Sequence, residues 1–190
     1  DKFYRLFNRI ALKKKIKVYS FSMKKKNANV RLNYVKKEKS KFKMSIYFGN
    51  KKIGEVTIAG SSKDLGYTYI PCQEELKLLP DSAYLHVTSN NTIKGTQWHS
   101  FPVTNGVPLI CDMSSDICSR EIDYSQFAMI YAGAQKNLGP SGFTIVIIRK
   151  ELMNQCNENL PTMFDYQTHI KKSSLYNTPP VFSIYSMKLV

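Results

Sequence analysis

The sequence has no hydrophobic run of membrane-spanning length. Its apolar stretches, such as Phe127 to Ala132 and Phe143 to Ile148, fall far short of the roughly 20 residues a transmembrane helix needs, so no membrane partner is expected. No apolar segment with a small-residue cleavage site opens the chain, which leaves no argument for export. The four cysteines, Cys72, Cys111, Cys118 and Cys156, form no CxxC pair and share no zinc-type spacing with histidine. A disulfide framework and a metal site are therefore not expected, and the cytoplasm is the expected location. Acids are nearly missing from residues 1–52, which hold only Asp1 and Glu38. That segment also lacks an RNA-binding aromatic motif, a Cys/His finger and a helix-turn-helix pattern, and no internal repeat runs through the chain.

What is present divides in two. The chain has 190 residues, 43% of them hydrophobic, enough for one domain with a core. Its net charge of +14 is uneven: residues 1–52 carry 18 Lys or Arg, a balance of +16, and residues 53–190 a balance of −2. The basic character belongs to one segment, and the two kinds of sequence join near Ile53. Within the basic segment, Phe3, Leu6, Phe7 and Ile10 stand at helical spacing. The rest reads either as a polybasic arm that contacts phosphates without sequence preference or as a solvated, poorly ordered tail. A nucleic-acid partner is not the expectation.

From Ile53 onward the pattern becomes regular. Glu55–Ala59, Ala83–Thr88, Pro108–Met113, Met129–Gly133 and Phe143–Arg149 read as short, mostly apolar strands. Continuous hydrophobicity of this kind suits an α/β sheet buried on both faces. Only Gln135 to Gly142 separates the last strand from its predecessor, which predicts a hairpin-like pair and a mostly parallel sheet with one antiparallel member. Lys150–Asn157 predicts a short helix, and Pro71 to Leu79 a further helical turn.

The chemistry concentrates in Tyr131–Gly142, YAGAQKNLGPSG. A lysine among small residues after a buried strand can project into a confined pocket, where desolvation disfavours the ammonium and leaves a nucleophilic amine. Asp112 ends the strand PLICDM, ahead of Ser114 and Ser115. Ligands of open α/β sheets bind at the carboxyl ends of strands, so Lys136 and Asp112 can converge there. An amine for an aldehyde and a carboxylate for a pyridinium nitrogen are the minimum equipment of a pyridoxal-phosphate enzyme. On spacing alone, a surface Asp and Lys pair is the competing reading.

The wording of the motifs goes further. HVTSNNTIKGTQW, PLICDMSSDICSREID, IYAGAQKNLGPSGFTIVIIRKELM and SSLYNTPPVFSIY follow one another as in the phosphoserine aminotransferases, class V aminotransferases within fold type I of the pyridoxal-phosphate enzymes. The resemblance runs from about Gly54 to Val190. It implies an α/β fold, part of a large domain with a mostly parallel sheet and helices on both faces, and pyridoxal 5'-phosphate as cofactor. Lys136 resembles the Schiff-base lysine, Asp112 the carboxylate that keeps the pyridine nitrogen protonated, Thr92 a threonine that contacts the cofactor, and Gln135 a residue of the phosphate cup. Asn177 and Thr178 precede Pro179–Pro180 in a rigid turn; in the family this pair reaches the cofactor phosphate of the other subunit, which implies a homodimer with shared active sites. His86, His99 and His169 share no spacing and read as structural, Trp98 reads as packing, and Arg120 as structural.

The resemblance also implies the reaction. Glutamate gives its amino group to 3-phosphohydroxypyruvate, forming 2-oxoglutarate and O-phosphoserine for serine biosynthesis, and a related substrate serves pyridoxal phosphate biosynthesis in many bacteria. Family members are longer. The upstream phosphate-binding turn, stacking aromatic and carboxylate-binding arginine are not recognisable in residues 1–52, and the small C-terminal domain with its substrate-phosphate arginines would lie past Val190. The expectation is therefore a truncated chain. Its alternative function is a non-catalytic fragment whose basic N-terminal arm binds polyanions.

Overall fold

The computed structural model describes residues 21–22, 30–38, 41–48, 51–155 and 160–190, with side chains described from Gly54 onward. The helical spacing of Phe3, Leu6, Phe7 and Ile10, and Cys156, lie outside the described residues. The chain divides into two compact units, Asp1–Ile58 and Ala59–Val190.

In the first unit, β1 (Phe21–Ser22) pairs in parallel with β2 (Val30–Glu38), and β2, β3 (Lys41–Phe48) and β4 (Lys51–Thr57) form an antiparallel meander. Leu32 pairs with Ile46, and Tyr34 with Met44, which pairs in turn with Val56. The tail reading is corrected over these residues. Val30, Leu32 and Tyr34 alternate with Arg31 and Asn33 at the strand period, a signal the lysine count obscures. Glu55–Ala59 is corrected too. Most of it belongs to β4, which begins three residues after β3 closes and pairs with it as a local hairpin instead of joining the parallel sheet. Ile53 lies inside this strand.

The second unit is built on a mixed sheet of order β10-β9-β8-β5. Here β5 (Leu85–Thr88), β8 (Leu109–Asp112) and β9 (Met129–Gly133) run parallel, and β10 (Thr144–Ile148) returns antiparallel to β9. This is the mostly parallel sheet with one antiparallel member that the sequence predicts. A small hairpin of β6 (Asn90–Asn91) and β7 (Thr96–Gln97) follows β5. Helix α1 (Lys150–Met153) occupies the start of the predicted Lys150–Asn157 segment, and Gln73–Glu75 form the predicted helical turn. Two further helices are α2 (Tyr166–Lys171) and α3 (Val181–Leu189). Among the described residues, no helix is long and apolar enough to cross a membrane.

Burial alternates along the strands. Leu109 and Cys111 are 2% and 0% exposed, whereas Ile110 and Asp112 are half-buried. The buried side packs on Met113, Ile117, Phe127 and Leu138. Trp98 stacks on Phe101 at 6.5 Å, and Phe101 meets the Phe127 ring edge-on at 4.7 Å. Each large apolar side chain buried here contributes about 1.5–3 kcal/mol. Helix α3 joins through Met187, packed against the core, and Ser183, whose Oγ donates to the Ser141 carbonyl at 2.9 Å.

The topology fixes where chemistry can occur. Because β5, β8 and β9 are parallel, their carboxyl ends share one edge, with Thr88 beside Asp112 and Asp112 beside Tyr131. The loops that leave that edge carry Thr92, Ser114 and Lys136.

Candidate active site

Lys136 follows β9 by three residues. Ala134 N–H still donates to Phe143 O at 2.9 Å, which keeps the hairpin closed around the loop. Gln135 is extended, and Lys136 then turns left-handed at φ +54. That conformation costs a residue with a Cβ about 1–2 kcal/mol, so the turn is held by its surroundings: Gly139 N–H donates back to Lys136 O at 3.0 Å, and Leu138 is buried. The turn directs the amine across the edge, where Lys136 Nζ donates to Thr92 Oγ1 at 2.7 Å. Thr92 is itself set by the β6–β7 hairpin. Asn91 Oδ1 accepts the N–H groups of Ile93 and Lys94, both at 3.1 Å, and Gly95 closes the turn at φ +73.

Asp112 ends β8 between these two loops. Its Oδ1 accepts from Ser114 N–H at 2.9 Å and from Ser114 Oγ at 2.6 Å. Ser114 Oγ in turn accepts from Gly133 N–H at 3.0 Å, tying the carboxylate to the end of the strand that leads to Lys136. Beneath it, buried Ser89 donates to Asp112 O at 3.1 Å and to the Asp116 carboxylate, whose other oxygen accepts from Gln97 Nε2 at 2.9 Å. Asn90 Nδ2 donates to Ser115 Oγ at 3.0 Å. The loops after β5, β8 and β9 are thus fastened to one another.

The predicted site residues separate into two groups. Thr92, Asp112, Gln135 and Lys136 lie at one sheet edge, with Asp112 half-buried and the others exposed. Asn177 and Thr178 lie in an exposed segment ahead of α3, where Asn177 Nδ2 donates to Thr178 O at 3.2 Å. Among the described residues, no hydrogen bond links that pair to Lys136, Thr92 or Asp112. Trp98 packs on the core, and Arg120 bonds the carbonyls of Trp98 and His99.

Three features escape sequence reasoning. Ser114 follows Asp112 in CDMSSD, where a hydroxyl two residues on is a recognised local partner, but its bond to Gly133 is not readable. The Ser89–Asp116–Gln97 set gives no local signal. His86, read as structural, has its Nε2 3.0 Å from the Tyr131 hydroxyl. Burial lowers the His86 pKa, opposed by the Asp112 charge. Burial, followed by Asp112, raises the Tyr131 hydroxyl to about 12.

The donor set fits pyridoxal phosphate: an amine for its aldehyde, a carboxylate on the neighbouring strand for its ring nitrogen, and a hydroxyl beside the amine. Among the described residues, no group of three His, Cys, Asp or Glu could hold a metal ion.

Residues 50–190 match the family described as Aminotransferase class-V. The chain is 59% identical to the phosphoserine aminotransferase of Geobacillus kaustophilus over 139 residues, covering 73% of this chain and 38% of that protein. Its fold superposes on the phosphoserine aminotransferase of Bacillus circulans subsp. alkalophilus with a TM-score of 0.68 at 53% identity, over 71% of this chain and 37% of that one. A PLP-bound phosphoserine aminotransferase from Trichomonas vaginalis superposes with a TM-score of 0.59 at 38% identity, over 63% of this chain and 35% of that one. The chain therefore spans less than two-fifths of the length of these relatives.

Proposed function

The chain belongs to the class-V aminotransferase family, and from that premise we propose that it carries the cofactor-binding part of a phosphoserine aminotransferase. The observation that carries this reading is the placement of Lys136 Nζ 2.7 Å from Thr92 Oγ1, with Asp112 on the adjacent strand edge. Pyridoxal phosphate, when bound, supplies an electrophilic aldehyde and a ring that accepts electrons from the substrate Cα.

The side chains divide the remaining work. Lys136 would be the nucleophile toward the aldehyde, and its amine would carry a proton at the substrate Cα. Thr92 orients it. Asp112 would hold a proton on the ring nitrogen, with Ser114 fixing the carboxylate. Gln135 would hold the cofactor phosphate, as would Asn177 and Thr178 from the second subunit of a homodimer. The substrates are glutamate and 3-phosphohydroxypyruvate, the products 2-oxoglutarate and O-phosphoserine, and the setting is cytoplasmic serine biosynthesis, with pyridoxal phosphate biosynthesis as a second route.

The test is the visible absorption spectrum of the full chain mixed with pyridoxal phosphate, beside Lys136→Ala, followed by borohydride reduction and peptide mass mapping. A protein-bound band absent from the variant, and a cofactor mass on the Lys136 peptide, are expected. A band retained in Lys136→Ala, or no band in the parent chain, would overturn the reading.

A further inference from the structure

A line of polar side chains crosses the half-exposed side of the sheet beside the Lys136 site. His86 lies on β5 and Tyr131 on β9, with β8 between them. Strands separated by one neighbour lie about 10 Å apart, yet His86 Nε2 is 3.0 Å from the Tyr131 hydroxyl and the rings stack at 5.9 Å and 29°. The two side chains therefore close over β8 at the level of Ile110, which pairs with His86, and Asp112, which pairs with Tyr131. Resting on the cofactor reading above, we infer that His86 and Tyr131 are positioning residues for Asp112, the Tyr131 hydroxyl donating to its carboxylate while His86 Nε2–H donates to the Tyr131 oxygen.

The proton inventory makes the idea specific. A phenol has one proton to donate. If Tyr131 gives it to Asp112, its oxygen must accept from His86, which fixes the neutral imidazole as the Nε2–H tautomer. If Tyr131 gives it to His86 instead, the imidazole carries its proton on Nδ1 and Asp112 gains nothing. Asp112 also takes both Ser114 donors on Oδ1, so the Tyr131 bond would complete its restraint. The titratable groups acting on the pair are Asp112 and Cys111 on β8 and Tyr166 on α2. Among these, Asp112 alone is a carboxylate.

The experiment is 15N NMR of the full chain labelled at histidine, with His86→Gln assigning the His86 signals among the three histidines. Without cofactor, the Nε2–H tautomer is expected for His86. Asp112→Asn should lower its titration midpoint, because the charge favouring imidazolium is removed, and Tyr131→Phe should erase the tautomer preference. With pyridoxal phosphate, Tyr131→Phe and His86→Gln should each raise the cofactor Kd roughly three- to tenfold, the loss of one hydrogen bond. Trp98 fluorescence confirms that each variant is folded. An Nδ1–H tautomer, or a His86 titration unmoved by both Asp112→Asn and Tyr131→Phe, would overturn the inference. So would an unchanged Kd in both Tyr131→Phe and His86→Gln. If the parent chain bound no cofactor, the proposed function would fail, and the cofactor-free titrations would still decide this point.

Discussion

Ser114→Ala is the sharpest single perturbation of the site that leaves every proposed cofactor ligand in place. The hydroxyl donates to Asp112 Oδ1 at 2.6 Å and accepts from Gly133 N–H at 3.0 Å. A hydrogen bond to a charged group contributes about 1.5–3 kcal/mol and a neutral one about 0.5–1.5 kcal/mol. Asp112 keeps the Ser114 N–H at 2.9 Å, and its half-buried position lets water replace part of the lost donor. The expected loss is therefore at the lower end of the sum, about 2 kcal/mol. Urea unfolding followed by fluorescence of the sole tryptophan, Trp98, reads it, since that ring packs against the core. With an m-value of about 2 kcal/mol per molar, the midpoint falls by about 1 M at unchanged slope. A cycle with Asp112→Asn should show coupling of about 1 kcal/mol, because both changes remove the same bond. A midpoint shift below about 0.25 M, or additivity in the cycle, would refute Ser114 as the clasp between β8 and β9.

Gly142→Ala places a Cβ 2.8 Å from Ser183 Oγ at φ +139, so it should cost about 1–3 kcal/mol in the same titration. Gly66→Ala, at φ +69 in open space, carries the backbone strain alone and should cost less; equal losses would dismiss the contact with α3. Stability should also fall as pH rises from about 9 toward about 12. Burial holds the protons of Cys111 and Tyr131 to about 12 in the fold, against ordinary values of 9.0 and 10.0, so above pH 9 the unfolded chain binds fewer protons. Urea midpoints that stay level across this window would contradict it, and Cys111→Ala should flatten its first part.

How much of this was legible in the sequence depends on how far apart the partners lie. Lys136 and Asp112 could be placed at one edge because each follows its own strand within a few residues, and parallel strands bring such ends together. The antiparallel return of β10 was legible for the same reason, a short loop. The alternation of β2 and β3 is local as well, but lysine density masks its period. The contacts that decide geometry are not local. Lys136 meets Thr92 across 44 residues, and His86 meets Tyr131 across 45. No spacing rule connects those pairs; only the strand order does, once β8 is known to lie between β5 and β9.

The same strand order explains how a lysine, a carboxylate and a histidine with unremarkable spacing come to lie near one sheet edge. A register slip of one residue in β8 would turn Asp112 to the face where Leu109 and Cys111 are buried and bring Cys111 out in its place. The apolar pattern of LICD forbids this, since it would bury a carboxylate and expose core side chains. The site's carboxylate is thus held on its face by the same burial that stabilises the sheet. Ser114, Tyr131 and His86 need only refine an orientation that core packing has already selected.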